Sequence, residues 1–330
     1  LVRRILAEGS HPARSPDRNV NDLIAQIAAN ANGVGELQAL VARFGLAVVQ
    51  AYMGHVQDNA AECVRRVIDS LHDGHHIAHT DDGTPIEVRV TVNHTSRTAV
   101  VDFTGTGRAR DDNFNAPRAV TRAAVLYAFR CLVDDDIPLN DGCLDPVDVH
   151  VPAGSLLDPE YPAAVVAGNV EISQLVTDAL LAALGACAAS QGTMNNLTFG
   201  TEEFQYYETI CGGSGAGPGF DGTAAVQTHM TNSRLTDPEV LELRHPVRVS
   251  RFGIRTGTGG SGLNNGGHGA LRELEFLVPM RVSLLTGRRR VAPFGLCGGA
   301  RGAPGGNLLV RGGGPVQELR AALSVVVAAG

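Results

Sequence analysis

The sequence predicts an α+β fold, with an N-terminal helical layer followed by a mixed, β-rich and glycine-rich C-terminal half. Three observations carry this. Apolar residues in the first seventy or so positions recur at helical spacing. From residue 86 onward short apolar/polar alternations begin, the mark of half-buried strands. Finally, the 40 glycines crowd toward the C-terminal end, as turn-rich β structure requires.

Residues 1–73 are expected to be helical. Leu23 and Ile27 lie one helical turn apart, Asn21 or Asp22 supplies a cap, and Gly33 and Gly35 are expected to end this helix (19–32). A short helix follows over 36–44, closed by Gly45. A third runs over 46–71, with an apolar stripe of Val49, Met53, Val56, Ala60, Cys63, Val67 and Leu71.

A mixed α/β segment is expected over 74–194. The histidine-rich stretch 72–79 is read as an exposed loop, without the carboxylate or cysteine ligands that would make its imidazoles a metal site. Strands 86–92 and 98–103 form an antiparallel hairpin. Helix 115–133 precedes the acidic loop Asp134, Asp135 and Asp136, then a strand at 147–151 and a buried helix over 169–189. The β-rich segment 195–330 holds strands at 197–200, 205–210, 226–229, 247–254, 270–276, 282–285 and 307–310.

Composition bounds the chemistry. The chain has 330 residues, room for one large domain or two ordinary ones. Its net charge of −7 excludes a general nucleic-acid or membrane-surface binder, which needs a basic footprint. All 27 basic residues are arginine, so no lysine Schiff base and no phosphate-loop lysine can operate. Six dispersed cysteines read as free thiols. No secretory signal pattern begins the chain and no apolar run reaches a span length, so the cytoplasm is the default expectation. The chain opens inside a plausible element and closes on the apolar run LSVVVAAG, and is expected to be a fragment truncated at both ends.

Candidate chemistry centres on residues 206–237. Six glycines between Gly212 and Gly222 permit close approach of backbone or ligand, and a dense polar set follows: Gln227, His229, Thr231, Asn232, Arg234 and Asp237. Glu208 is a general base if burial raises its pKa, or else a structural carboxylate. His229 is an acid, a base or a satisfied core histidine. Cys211, beside two glycine amides, is read as a buried thiol rather than a nucleophile. Asn195 and Asn196 offer amides to a polar ligand or simply form a turn. Glu171 and Gln174 open the buried helix. The glycines Gly257, Gly259 and Gly262 match GxGxxG by letter, but no helix follows them, so a turn between antiparallel strands is expected.

These pieces resemble the hydantoinase B/5-oxoprolinase family. DLIAQIAANANG, FGLAVVQAYMGHVQDNA, FTGTG, FNAPRAV, DIPLNDGCLDPV, PAAVVAGNVEISQ, QGTMNNLTFG, YYETICGGSGAGPGFDG, THMTNSRLTDPEVLE and APFGLCGGARGAPGGN fall in one order over about residues 15–309. AYMGHVQ and RCLVDDDIPLN tilt the likeness toward the 5-oxoprolinase branch, away from N-methylhydantoinases and acetone or acetophenone carboxylases. The resemblance implies one B-type domain and a division of labour. An A-type domain or subunit binds ATP and Mg²⁺ and phosphorylates the amide oxygen of a cyclic substrate, and the B-type part completes hydrolysis. The alternatives are a B-type subunit of an N-methylhydantoinase or of an acetone or acetophenone carboxylase, and a non-catalytic scaffold for the A-type partner; a homo- or hetero-oligomer is expected. The family's metal-binding His/Asp pattern lies upstream of the region matching Asn21, so a divalent metal belongs to a portion not present here. No metal ligand is assigned in this chain, and it is expected to be inactive alone. Glu208 and His229 are the catalytic candidates; Glu171, Gln174, Asn195, Asn196, Asn232 and Arg234 are the substrate-binding candidates. Their roles come from residue chemistry, since the resemblance assigns none of them.

Overall fold

The computed structural model describes residues 1–8, 12–13 and 15–330. It opens with the short helix α1 (Val2–Ala7), which the sequence did not announce, and then α2 (Pro16–Phe44). The two helices expected at 19–32 and 36–44 are one continuous helix. Gly33 and Gly35 lie inside it, at a cost of about 1 kcal/mol each relative to alanine. Surrounding alanine, leucine and glutamine carry it through. Gly45 (φ +83°) then turns the chain by 115° into α3 (Leu46–Ser70). Only the C-terminal half of the predicted α3 stripe is buried, at Ala60 and Cys63, while Met53 and Val56 stay exposed.

The first sheet runs in the order β1–β2–β3–β4. It comprises β1 (Gly74–His79), β2 (Pro85–Asn93), β3 (Thr98–Asp102) and β4 (Val147–His150), with β3–β4 parallel and the other pairs antiparallel. The hairpin expected from alternation is present: Ile86, Val88 and Val90 face inward and are fully buried. The histidine-rich stretch, expected as a loop, is instead the edge strand β1. Its alternation sends His75 and His79 outward, while His76 packs against Phe294. The imidazoles therefore diverge. Among the described residues no group of three or more His, Cys, Asp or Glu side chains is placed to share a metal ion.

Helix α5 (Ser173–Ala183), entered through a π-turn at Gly168–Ile172 and shorter than the expected 169–189, lies on β1 and β2, α3 touches β3, and α4 (Arg118–Leu132) packs on α5. All eleven residues of α5 are buried, which fits its apolar, small-residue composition. Phe103, Phe129, Leu156 and Leu180 form the centre of this first core.

A second core lies under the sheet ordered β12–β9–β5–β6. Its strands are β5 (Asn196–Gly200), β6 (Gln205–Thr209), β9 (Met280–Leu285) and β12 (Ala322–Val327). β12 was not expected, because its apolar run lacks a bounding turn signal; the antiparallel ladder with β9 makes it a strand. A second unannounced helix, α6 (Pro238–Arg244), leads into the antiparallel hairpin of β7 (Val247–Arg255) and β8 (Gly269–Phe276). The glycine run at 257–262 joins these two strands, as expected, and opens no helix. The strand expected at 226–229 does not form: only Val226 bridges, to Gly212. Two short strands, β10 (Leu308–Leu309) and β11 (Gln317–Glu318), pair near the C-terminal end. No single described helix is long and apolar enough to cross a membrane.

Candidate functional site

The glycines of 212–222 serve backbone packing. A Cβ on Gly213 would overlap the Gly267 carbonyl oxygen, and one on Gly222 would overlap the Ser214 carbonyl. Gly222 N–H donates to Asn265 O (2.7 Å) and Gly267 N–H to Ser214 O (2.9 Å). The loop is thus laid onto the 258–268 turn, and this fixes the entry to residues 226–237.

Two clamps hold that polar segment. From α5, Gln174 donates through Nε2 to the Thr228 carbonyl (2.9 Å), while Gln227 Nε2 donates to the Thr209 carbonyl on β6 (3.1 Å). Between them His229 is forced to φ +53°, a left-handed conformation that costs about 1–3 kcal/mol in a residue with a Cβ. The reward is placement. His229 Nε2 lies 3.1 Å from Asp178 Oδ1, and its Nδ1 lies 3.5 Å from the Tyr127 hydroxyl on α4.

Asp178 is the buried hub. Its Oδ1 also accepts the Ser190 N–H (2.9 Å), and its Oδ2 accepts from Arg288 Nη2 (3.2 Å). Burial pushes its pKa up, but the hydrogen bond and charge of His229, with the charge of Arg288, outweigh that and hold it below the usual carboxylate value. An ionised Asp178 requires the proton of a neutral His229 to sit on Nε2. Nδ1 is then a free lone pair directed at the Tyr127 hydroxyl. Burial raises the Tyr127 phenol well above its ordinary value, so it stays a hydrogen-bond donor. Tyr127, His229 and Asn232 line a cleft of about 320 Å³, with Leu126, Leu139 and Met230 as its apolar wall.

Arg288 stands behind this set. It is 4% exposed, lies over the Phe294 ring, and leaves Nε and Nη1 without a protein partner. His76 Nε2, against the same ring, is also unpartnered, and burial first, then the charges of His75 and Arg288, lowers its pKa.

Glu171 heads a second buried cluster one turn before Gln174. A single oxygen, Oε1, accepts from Thr193 Oγ1 (2.9 Å), Asn196 Nδ2 (2.9 Å) and the Met194 N–H (3.3 Å). Burial raises its pKa to about 8, against the pull of Thr193 and the Arg289 charge. Asn196 also donates to the Leu285 carbonyl, and Asn195 is spent on the Ile210 carbonyl and the Arg289 guanidinium. Both asparagines therefore lock β5 to its surroundings, and neither presents a free amide to the cleft.

Glu208, read from the sequence as a general base or else a structural carboxylate, sits in a buried ion pair. Arg272 donates to it through Nε (2.7 Å) and Nη2 (3.2 Å), and Tyr206 through its hydroxyl (2.7 Å). Both side chains of the ion pair are almost fully buried. Three donors hold this carboxylate inside the buried ion pair, and it lines no part of the cleft. Arg272 Nη2 also donates to the Thr236 carbonyl (3.1 Å), so the pair anchors the end of the polar segment. Arg234 is exposed, outside the cleft lining. Cys211 is buried and its thiol is raised by that burial, consistent with an inert role. All six cysteines are free.

Of the sequence candidates, the structure brings His229 and Asn232 to one cleft and puts Gln174 directly behind them. It keeps Glu208 with Arg272, and Glu171 with Asn196, in separate networks. Sequence reasoning missed Asp178, Tyr127 and Arg288. Asp178 carried a signal: it lies four residues after Gln174 and seven after Glu171, a polar stripe on an otherwise apolar helix.

Comparison with known proteins identifies the family. The hydantoinase B/oxoprolinase family profile covers residues 1–330. The chain belongs to the hydantoinase B/oxoprolinase family. It is 50% identical over 308 residues to 5-oxoprolinase 1 of Arabidopsis thaliana, covering 88% of this chain and 24% of that protein. It is 45% identical over 311 residues to 5-oxoprolinase of Dictyostelium discoideum, covering 92% and 25%. The chain thus spans about a quarter of the length of these curated relatives. The ATP-dependent caprolactamase from Pseudomonas jessenii shares the fold, with a TM-score of 0.82 at 21% identity over 99% of this chain and 61% of that one.

Proposed function

We propose that this chain is the B-type portion of an ATP-dependent cyclic amide hydrolase that opens 5-oxoproline to glutamate, working with an A-type domain or subunit. The observation that carries this is the Asp178–His229–Tyr127 row on the wall of the cleft, within a family whose nearby relatives are named 5-oxoprolinase. An unstrained lactam is a poor electrophile; ATP, bound in the A-type part, supplies a phosphoryl group that turns the amide oxygen into a leaving group. Among the described residues the GxGxxG-like run joins two antiparallel strands and forms no phosphate loop. Nor do its described residues fit a metal.

The division of labour inside the cleft follows from the hydrogen bonds. Asp178 fixes the Nε2–H tautomer of His229 and steadies the imidazolium that forms when Nδ1 takes a proton. Nδ1 is the atom that accepts a proton from attacking water. An entering water replaces the contact between Nδ1 and the Tyr127 hydroxyl, 3.5 Å apart, donating to Nδ1 and accepting from the hydroxyl. Asn232 offers an amide at the rim, and Gln174 holds the backbone behind His229. Glu208 with Arg272 positions the segment and does not touch substrate.

Assay of the intact protein with its A-type part on 5-oxoproline, N-methylhydantoin and acetone tests the reading. It predicts ATP-coupled formation of glutamate from 5-oxoproline above the other two. Turnover of acetone or N-methylhydantoin with none of 5-oxoproline overturns it.

A further inference from the structure

The proton of one hydroxyl on the cleft wall is directed by the residues behind it. Thr231 lines the cleft two residues after His229, and its Oγ1 lies 2.8 Å from Ser233 Oγ. Ser233 Oγ lies 2.5 Å from Thr209 Oγ1 at the end of β6, and Gln227 Nε2 lies 3.0 Å from the same Oγ1. Four side chains thus form one hydrogen-bonded row that ends in the cleft.

The proton directions follow from the buried end of the row. Gln227 Nε2 also donates to the Thr209 carbonyl (3.1 Å), and an amide oxygen turned toward that carbonyl would be repelled. The NH₂ group therefore faces Thr209, and its second hydrogen goes to Oγ1. Thr209 is 4% exposed, and Ser233 is the one acceptor its hydroxyl has among the described residues. A buried hydroxyl keeps its proton bonded, so Thr209 donates to Ser233. Ser233 in turn donates to Thr231. Thr231 Oγ1 also receives the Ser233 N–H at 3.4 Å, which engages its second lone pair. The Thr231 proton is left over, with no acceptor among the described residues.

Asn232 is next in the chain and also lines the cleft, and its amide makes no hydrogen bond among the described residues. Two adjacent donors of this kind suit an acceptor group that carries no hydrogen of its own. Their position selects which one. Asn232 is exposed and Thr231 half-buried, whereas the His229 side chain is 11% exposed. A charged group held at such a rim keeps part of its hydration, and drawing it inward would cost far more. The methylenes of a ring meet Leu126 and Met230 on the apolar wall.

We propose that Thr231 and Asn232 form a subsite for the carboxylate of the cyclic amide, with the Gln227–Thr209–Ser233 row holding the Thr231 proton toward it. The subsite rests on the reading of this chain as part of an enzyme that opens 5-oxoproline, and it adds the basis of substrate choice. The ring amide is left to His229 and Tyr127. A lactam bearing a carboxylate is thereby selected over the bare ring, 2-pyrrolidinone. Thr209 and Ser233 do not touch substrate and act as positioning residues.

Steady-state kinetics of the intact protein with its A-type part tests this, with 5-oxoproline as substrate and 2-pyrrolidinone as a competing ligand. Thr231→Val keeps the side-chain shape and removes the hydroxyl. It should raise KM for 5-oxoproline about tenfold or more, as loss of a hydrogen bond to a charged group does. The change in kcat should stay below about threefold, because the carboxylate contact is made alike in the ground and transition states. The inhibition constant of 2-pyrrolidinone should not move. Thr231→Ser, which restores the donor, should bring KM back to within about threefold of wild type. Thr209→Val frees Ser233 to accept from Thr231, so KM for 5-oxoproline should rise by a smaller factor, again with no effect on 2-pyrrolidinone. An unchanged KM in Thr231→Val, or equal weakening of both ligands, overturns the subsite while wild-type turnover leaves the functional reading standing. A wild type that does not turn over 5-oxoproline overturns both.

Discussion

Replacement of Glu171 by glutamine tests how the buried end of α5 is held. The side chain is fully buried, and burial lifts its pKa from 4.5 to about 8 against the hydrogen bond from Thr193 and the charge of Arg289. Between those two values the unfolded chain gives up a proton that the native state keeps. Stability is therefore fully present below pH 4.5 and is lost as pH rises toward 8. At about 1.4 kcal/mol per pH unit, the loss from pH 5 to pH 8 is about 4 kcal/mol. Glutamine keeps the oxygen that receives Thr193, Asn196 and the Met194 amide, and it mimics the protonated acid without titrating. Guanidinium unfolding of wild type and Glu171→Gln in steps between these pH values reads the difference. Their stabilities should agree near pH 5, and the variant should gain by up to about 4 kcal/mol at pH 8. Parallel stability curves for the two proteins would refute a native state that keeps Glu171 protonated.

The other expectations concern packing and the thiols. Glu208→Ala or Arg272→Ala alone should cost about 3–5 kcal/mol in denaturant unfolding, because each leaves a buried charge unpaired, whereas Glu208→Gln with Arg272→Met should cost much less; equal losses for the single and double variants would contradict a closed ion pair. Gly213→Ala should lower the melting temperature sharply, since its Cβ overlaps the Gly267 carbonyl, while Gly306→Ala, with open space around it, should not. Brief iodoacetamide treatment followed by mass mapping should label the exposed Cys131 and Cys297 and spare the buried Cys63, Cys143 and Cys211 until denaturant is added.

What the sequence revealed depended on whether the signal was local. The strands β2 and β3 and the buried character of α5 were legible because alternation and apolar content are properties of short windows. The edge strand β1 was not: HHIAH gains its strand character only from pairing with β2. Likewise β12 is defined by β9, and the two glycines of α2 misled because neighbouring helix formers outweigh them. At the site, His229, Asn232 and Gln174 stood out as functional groups in dense polar stretches. Their partners did not, because Tyr127 lies 102 positions from His229 and Arg288 lies 110 from Asp178. Glu208 looked like a base because Arg272, 64 residues away, is invisible in its own window.

The most direct test of the central claim is the coupling ratio of the intact protein, glutamate formed per ATP hydrolysed, in wild type, His229→Gln and Asp178→Asn. If His229 Nδ1 accepts the proton in the hydrolytic step and Asp178 sets its tautomer, both variants should lose glutamate formation by about 10²-fold or more while ATP hydrolysis persists. Their melting temperatures should stay near that of wild type at His229→Gln, which separates loss of chemistry from loss of fold. Wild-type glutamate formation in a folded His229→Gln protein would contradict the account.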